Sequence, residues 1–340
     1  MGDGTRGGPA ALRVAIVTSQ RIVNSVYRAL PLLQLARRGC EVVVDDGALA
    51  LAAGRLRGFD VVHVFRYHDT RARRALRDLR ESGTAIVWDN DDDLADERSR
   101  MRTDAINARV VETLQLAHVV TTTSPVLAQL YRAWGAAEVR VVENYLPDYY
   151  AAPRRSRERD GVVIGWTAAG EHAHDLRTLG LRATLERLLV AHTDVHVVSA
   201  GLELGLPADR YTYTLVVQYQ DLARYVGAFD IGIAPIADTP FNRAKSNVKL
   251  KEYAAMGVPW LASPIGPYAE LGEKQGGRLV PDDRWYDELD RLVRDARARR
   301  RLAKRGVKWG ESQRLRHHVD RWQAVLARAA ELAATQRRAA

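Results

Sequence analysis

The sequence predicts an α/β protein of two consecutive domains, each built on a parallel β-sheet. Strand-like apolar runs alternate with helical patterns along most of the 340 residues. The strands are apolar on both faces, which is typical of parallel sheets covered by helices on two sides. A charged, proline-bearing stretch at 153–160 interrupts the alternation. We therefore expect domains at 10–150 and 161–310, followed by a basic helical tail at 311–340.

The first half contains six runs rich in valine and isoleucine, the composition expected of buried strands. Helical patterns lie between several of them, near 27–38, up to Arg80 and from Pro125 onward. The βα alternation favours parallel pairing, because parallel neighbours need a crossover connection. The predicted strands cover 13–18, 41–44, 60–65, 85–88, 119–123 and 139–142.

The second half repeats this alternation. Helices are predicted at 175–191, at 222–227 and in a lysine-bearing segment that Gly257 and Pro259 end. Ligands of open α/β sheets bind outside the carboxyl ends of the strands, and we expect two such edges to face each other across a cleft. The predicted strands cover 161–166, 195–199, 213–217, 231–234 and 260–263.

Lysine is rare in this chain, and its distribution is uneven. Only six of the 51 basic residues are lysines, and three lie between Lys245 and Lys251. In one helix, Lys245, Lys249 and Glu252 would share a face. Ser246 and Asn247 would lie in its first turn, where backbone N–H groups favour an anion. The pattern suits a nucleotide diphosphate with Glu252 at the ribose; the alternative is a solvated amphipathic helix.

Two common nucleotide-binding motifs are missing from the sequence. Neither half has G-x-G-x-x-G after its first strand, and the chain has no G-x4-G-K-[ST] loop. Their absence argues against a dehydrogenase and against a phosphate-loop NTPase.

The segment from Lys245 to Glu270 resembles the donor-binding segment of GT-B-type glycosyltransferases. That family carries an E-x7-E motif, then a helix end E-[AY]-x-A-x-G-x-P and a strand; here the helix end reads Glu252-Tyr-Ala-Ala-Met-Gly-Val-Pro259. Three weaker matches follow the family's order: a first helix at 27–39, Gly165-Trp166 with 172–176, and a strand at 230–235.

The resemblance implies two Rossmann-like domains facing across a cleft, and transfer of a sugar from a nucleotide-sugar donor to an acceptor hydroxyl. The donor would be held by the second domain, the anomeric configuration retained and no metal or other cofactor required. The acceptor, whether a glycan, a lipid-linked molecule, a natural product or a nucleic acid, is not identified. A sugar-nucleotide epimerase of the same fold is one alternative, and a non-catalytic basic module that binds nucleic acid or membrane is another.

The resemblance also assigns roles by position. Glu252 matches the second glutamate of the motif, which takes the ribose hydroxyls, and the loop of Lys245, Ser246 and Asn247 matches the one whose amides meet the diphosphate. Lys249 adds a second cation there. The chain departs from the family at two places. The first glutamate is replaced by Ala244, and a basic pair after the first strand is missing, with His172 as the nearest polar substitute.

An acidic cluster, residues 89–93, follows the predicted strand at 85–88. A calcium loop is excluded because its sixth and twelfth positions would be Leu94 and Arg100. A metal site through Asp91 and Asp93 is one alternative, and a solvated acidic helix cap is another. We favour carboxylates that orient or deprotonate an acceptor hydroxyl, with Asp89 and Asp91 as the catalytic candidates.

The net charge of +9 is concentrated near the C-terminus. Residues 291–340 hold 15 Lys and Arg against 4 Asp and Glu. This segment predicts either peripheral contact with an anionic membrane or nucleic acid, or a solvated helix face. A single cysteine, Cys40, and the lack of a signal-peptide pattern predict a cytoplasmic protein, with peripheral membrane association as the variant.

Overall fold

The structure is a computed structural model that describes residues 12–18, 25–38, 40–45, 55–94, 96, 104–151 and 161–339. The stretch at 153–160 and Arg100 lie outside them. The described residues form two six-stranded sheets in which every strand pair is parallel. The predicted class, α/β with two parallel sheets, is confirmed. No helix among these residues combines the length and the apolar character needed to cross a bilayer.

The first sheet has the strand order β2-β1-β3-β4-β5-β6. Its central strands are buried along their whole length, as expected of a sheet covered on both faces. The fourth strand is one residue longer than predicted, and Asp89 is its last residue. The strands are β1 Arg13–Val17, β2 Glu41–Asp45, β3 Val61–Phe65, β4 Ala85–Asp89, β5 Val119–Thr122 and β6 Val139–Val141.

Local capping explains where several of the first helices begin. The Asp69 carboxylate accepts hydrogen bonds from two backbone amides at the start of α2, Thr70–Glu81, and Ser124 caps α4, Pro125–Ala133. The predicted helix at 27–38 is instead a short α-helix and a 3₁₀ helix, Leu30–Arg38, because Pro31 disfavours helical backbone at the residue before it. The α-helices are α1 Ser25–Arg28, α2 Thr70–Glu81, α3 Asp104–Leu116 and α4 Pro125–Ala133.

The second sheet has the strand order β12-β11-β10-β7-β8-β9. The direction of strand progression reverses between β7, Val162–Thr167, and β10, Ile231–Ala234. This pair is therefore the topological switch point, at which such sheets bind ligands. The strands are β7 Val162–Thr167, β8 Val195–Ala200, β9 Tyr211–Thr214, β10 Ile231–Ala234, β11 Trp260–Ala262 and β12 Gly277–Leu279.

Several predicted elements of the second half have different bounds, and three of the differences have a local explanation or bear on the site. The helix expected at 175–191 is divided at Gly180, whose φ of +56° is a left-handed conformation. The lysine-bearing helix begins only at Val248, because Lys245 has extended backbone. The strand expected at 213–217 ends at Thr214. The helices are α5 Ala173–Thr178, α6 Leu181–Ala191, α7 Tyr219–Val226, α8 Pro240–Ala244, α9 Val248–Ala255, α10 Trp285–Arg294 and α11 Ala296–Ser312.

The chain divides into two compact units. The first is drawn from Met1–Asp92, Thr103–Glu143 and His318–Ala340, and the second from Asp93–Arg102 and Asn144–His317. The final helix, α12 Val319–Ala339, packs on strands of the first sheet through a buried face that includes Trp322 and Leu326. The segment predicted as a separate tail at 311–340 is therefore shared between both units, because its apolar residues are buried.

Candidate functional site

Asp89 is the last residue of β4, a central strand of the first sheet. Its register places it beside Phe65 of β3 and Thr121 of β5, and its carboxylate has no exposed surface. Arg28 donates from Nη2 to Oδ1 at 2.6 Å and from Nε to Oδ2 at 3.0 Å. The Thr121 hydroxyl donates to Oδ1 at 2.6 Å. Both oxygens of the Asp89 carboxylate are therefore engaged inside the first unit, and its role at an acceptor hydroxyl stays a prediction.

A buried histidine completes this environment. His63 Nε2 lies 3.7 Å from Asp89 Oδ2, and the His63 ring meets Trp322 edge-to-face at 5.6 Å between centroids. Neither ring nitrogen has a hydrogen-bond partner among the described residues. Burial lowers the pKa of His63 to about 4, against an opposing effect of Asp89. His63 is therefore neutral at physiological pH.

Asp91 is also enclosed and paired. Its side chain is 4% exposed, and Arg66 Nη2 lies 2.6 Å from its Oδ1 and 3.2 Å from Asp92 Oδ2. Arg66 follows β3 and has a φ of +64°. Within the described ranges it is the only non-glycine residue with a positive φ. Burial opposes the charged form of Arg66, but Asp91 and Asp92 outweigh it and raise its pKa. The arginine thus offsets the charge of this part of the acidic cluster.

The lysine-bearing segment lies at the switch point of the second sheet. Lys249, in the first turn of α9, donates from Nζ to the carbonyl and to the hydroxyl (3.2 Å) of Thr167, the last residue of β7. Burial lowers the pKa of Lys249, and the carboxylates of Glu252 and Glu171 act in the opposite direction. An ammonium group has three donors, so Lys249 can hold Thr167 and still meet an anion.

Lys245 reaches the same place from the linker between α8 and α9. Its Nζ is 3.5 Å from Glu171 Oε1 and 4.5 Å from the centre of the Phe241 ring. Burial alone would raise the pKa of Glu171, but Lys245, and more weakly Lys249, hold it below its ordinary value. Glu171 is therefore an ionised carboxylate beside two cations.

His172 is oriented by Asp175. Its Nδ1 lies 2.7 Å from Asp175 Oδ2. Burial lowers the pKa of His172, and Lys245 and Lys249 lower it further against the effect of Asp175. Because a carboxylate only accepts hydrogen bonds, neutral His172 donates from Nδ1 and presents Nε2 as an acceptor.

The other oxygen of Asp175 connects three parts of the second unit. Oδ1 accepts from the Ala237 amide at 2.9 Å and from Asn242 Nδ2 at 2.8 Å. Asp175 thereby joins α5, which follows β7, to the loop after β10 and to α8. Because Asp175 is held by these bonds, it also fixes the orientation of the His172 ring.

The remaining predicted residues line α9 and its start. Tyr150 donates from its hydroxyl to Glu252 Oε1 at 3.4 Å, and Asn144 Nδ2 lies 3.3 Å from the Ser246 hydroxyl. Asn247 is the N-cap of α9, and its side chain makes no capping hydrogen bond. Lys251, the third lysine of the segment, is fully buried and donates to the Asn144 carbonyl.

The structure brings His172, Lys245, Lys249 and Glu252 into one electrostatically coupled cluster, although Lys245 is not on the same helix as Lys249. Ser246 and Asn247 connect the two lysines. Glu171 was missed by sequence reasoning; its position beside His172, directly after a strand at the switch point, is the signal that could have indicated it. Within the described ranges, no group of three or more His, Cys, Asp or Glu side chains is arranged to hold a metal ion.

Comparison with known proteins gives structural matches only. No protein-family model matches the chain, and no curated protein matches it. The sucrose-phosphate synthase of Thermosynechococcus elongatus superposes with a TM-score of 0.67 at 15% identity, over 97% of this chain and 100% of that one. Anabaena HepE in complex with UDP superposes with a TM-score of 0.66 at 12% identity, over 93% and 100%.

A putative UDP-N-acetylglucosamine 2-epimerase from Listeria monocytogenes is also similar, with a TM-score of 0.58 at 13% identity, over 89% of this chain and 94% of that one. At these identities the likeness concerns the fold. Two Rossmann-like units with parallel six-stranded sheets, matched over nearly the whole chain, show that this protein has the fold of the GT-B glycosyltransferases.

Proposed function

We propose that the protein transfers a sugar from a nucleotide-sugar donor to an acceptor hydroxyl. The observation that carries the proposal is the convergence of Lys245, Lys249, Glu171 and His172 at the switch point of the second sheet. The likeness to HepE, which was solved with UDP, supports a nucleoside diphosphate as the leaving group.

The two lysines would neutralise the donor diphosphate. In glycosyl transfer the leaving diphosphate gains charge in the transition state, so cations placed beside it accelerate the reaction. Lys249 is oriented by Thr167 before any ligand arrives, and Lys245 can exchange Glu171 for a phosphate oxygen. The amides at the start of α9 would add partial positive charge.

Three side chains that accept hydrogen bonds would bind the ribose and the sugar of the nucleotide-sugar donor. Glu252, oriented by Tyr150, would take the ribose hydroxyls. Once Lys245 turns to the diphosphate, the Glu171 carboxylate would accept from sugar hydroxyls, and so would Nε2 of His172. Glu171 would thereby replace the carboxylate that is missing at Ala244, a residue that is buried.

The acceptor hydroxyl would be contacted by a carboxylate of the acidic cluster. Asp91 remains our candidate for contacting the acceptor hydroxyl, and its engagement with Arg66 means that this contact needs a rearrangement of the pair. Retention of configuration and independence of added metal follow from the family resemblance. Both are tested by the anomeric product and by activity in EDTA.

A sugar-nucleotide epimerase is the second candidate, because a putative enzyme of that kind shares the fold. The same donor contacts would serve it, but the reaction would need no acceptor. Incubation with a nucleotide sugar alone separates the two: an epimerase changes the sugar, whereas a transferase leaves it intact or releases it slowly to water.

The experiment that tests the proposal is a panel of nucleoside diphosphates and nucleotide sugars, followed by thermal unfolding. We expect one nucleoside diphosphate and its sugar derivatives to raise the unfolding temperature of the wild-type protein. The stabilised donor is then supplied with pools of candidate acceptors, and transfer is followed by mass spectrometry. No stabilisation by any member of a complete panel would contradict the proposal.

A further inference from the structure

The outer face of α11 is a row of unpaired cations. Between positions 297 and 308 the exposed side chains are six Arg or Lys residues and Val307. Arg297, Arg301, Lys304 and Lys308 repeat at intervals of three and four residues, so they lie on one side of the helix. The row extends over about 16 Å, at 1.5 Å per residue.

The preceding helix, α10, differs from α11 because its exposed arginines are paired with carboxylates. On α10, Arg291 lies 3.4 Å from Glu288 and Arg294 lies 3.0 Å from Asp290. Arg297, Arg300, Arg301, Lys304 and Lys308 of α11 make no ion pair within 4 Å and no side-chain hydrogen bond among the described residues. Asp295, at the start of the helix, attracts Arg301 from a longer distance. Arg305, at the margin of the row, pairs with Glu273.

Like charges three and four residues apart destabilise a helix, so this arrangement weakens α11 locally. The cost is tolerated because the opposite face is firmly packed. Gly306 and Gly310 let the backbone of α11 approach Ala254 and Ala255 of α9 so closely that a Cβ at Gly310 would lie 2.4 Å from the Ala255 Cα atom. Because the inner face of α11 packs tightly on α9, the cationic row on its outer face points to solvent.

We propose that the outer face of α11 docks on an anionic lipid surface. A straight row of cations meets a flat layer of headgroup phosphates along its whole length, whereas the phosphates of a nucleic-acid duplex follow a helical path away from it. Val307, 37% exposed beside the row, can enter the headgroup region.

The test is co-sedimentation of the full chain with lipid vesicles. Phosphatidylcholine vesicles are compared with vesicles in which about a third of the lipid is phosphatidylglycerol, in low and high salt. We expect binding to the anionic vesicles only, and weaker binding in high salt. A variant Arg301→Gln/Lys304→Gln/Lys308→Gln should bind roughly a hundredfold more weakly, since each cation near such a surface contributes about fivefold.

A matched control removes the same charge elsewhere. Arg71, Arg74 and Arg77 are exposed on α2 of the first unit, and Arg71→Gln/Arg74→Gln/Arg77→Gln should retain wild-type binding. The unfolding temperature of the α11 variant should not fall, because like-charge repulsion is removed. Three results would overturn the proposal: no binding of the wild type to anionic vesicles, equal losses in both variants, or binding to duplex DNA with none to vesicles.

Discussion

The carboxyl edges of the two sheets both carry charged side chains, but they use them differently. In the first unit, Arg28 with Asp89 and Arg66 with Asp91 are matched at 2.6 Å and almost wholly enclosed. In the second unit, Lys245 meets its carboxylate only at 3.5 Å, and Lys249 is held by a neutral threonine. The sequence is more conspicuously charged at the first edge, yet our proposal assigns the ligand to the second.

The difference follows from the cost of burying charge. An enclosed ion pair must be complete, because each charge that lacks a partner loses its hydration without compensation. Such a pair stabilises its own geometry, and a substrate can contact it only if the pair rearranges. A cation held by neutral oxygens keeps its attraction for an anion. The predictions below test this contrast, beginning with the largest expected effect.

Asp89→Asn should unfold the first unit or weaken it severely. The change leaves Arg28 buried without a counter-charge, which costs roughly 3–5 kcal/mol of the free energy of unfolding. Chemical denaturation measures this loss. Glu41→Gln is the control, because Glu41 pairs with Arg13 on the surface and its loss should leave the free energy of unfolding almost unchanged. Equal stability of Asp89→Asn and wild type would show that the pair does not hold this edge together.

Acidification should destabilise the fold through His63. Its pKa is about 4 in the folded chain against 6.5 ordinarily, so between these values the unfolded chain binds a proton that the folded chain excludes. The free energy of unfolding should therefore be unaffected above pH 6.5 and should fall as the pH decreases towards 4, by up to roughly 3 kcal/mol from this residue.

The variant His63→Phe isolates this effect, because it keeps a ring against Trp322 and removes the titrating group. His118, whose pKa burial also lowers to about 4, should preserve part of the slope. Denaturant titrations across this pH range measure the difference between variant and wild type. Identical slopes in the two proteins would mean that His63 is protonated equally in both states.

Lys249→Ala should weaken nucleoside diphosphate binding by about ten- to hundredfold, since a charge-assisted hydrogen bond contributes roughly 1.5–3 kcal/mol. The fold should remain intact. Lys274→Ala removes an exposed lysine of the same unit and should bind like the wild type. Calorimetric affinities decide the matter, and an unchanged value for Lys249→Ala would remove this lysine from the donor site.

Glu171→Gln should have the smallest effect and the most specific one. If Glu171 accepts from sugar hydroxyls, the variant should bind a nucleotide sugar about tenfold more weakly while its affinity for the free nucleoside diphosphate stays equal or rises. A glutamate that serves only as the counter-ion of Lys245 predicts tighter binding of both ligands. Titrations with the two ligands, run side by side, distinguish these roles.

The sequence predicted the sheets better than it predicted the charged sites. Valine-rich runs and their spacing are local signals, and they identified most strands to within one or two residues. The enclosure of Asp89 depends on Arg28 and Thr121, which lie 61 and 32 residues away along the chain, so no local pattern could indicate it.

The same limit applies to the second unit. The prediction of one helix over 245–252 placed Lys245 and Lys249 near each other, and they do lie in one cluster. The predicted helix was wrong at its start, however, because the backbone is extended at Lys245. Glu171 and Thr167 join this cluster through the loop and strand end at the switch point, and that contact appears only when β7 and α9 are assembled. Asp175 was visible as part of a motif, whereas its bonds to Ala237 and Asn242 required the fold.

The most direct measurement is hydrogen exchange with and without the nucleoside diphosphate that stabilises the protein best in the panel. We expect exchange to slow in peptides covering 167–172 and 245–252, because the ligand covers the amides at the end of β7 and the start of α9. Peptides covering 89–93 should be unchanged. Protection at 89–93 with none at 167–172 or 245–252 would contradict the assignment of the anion site to the second sheet.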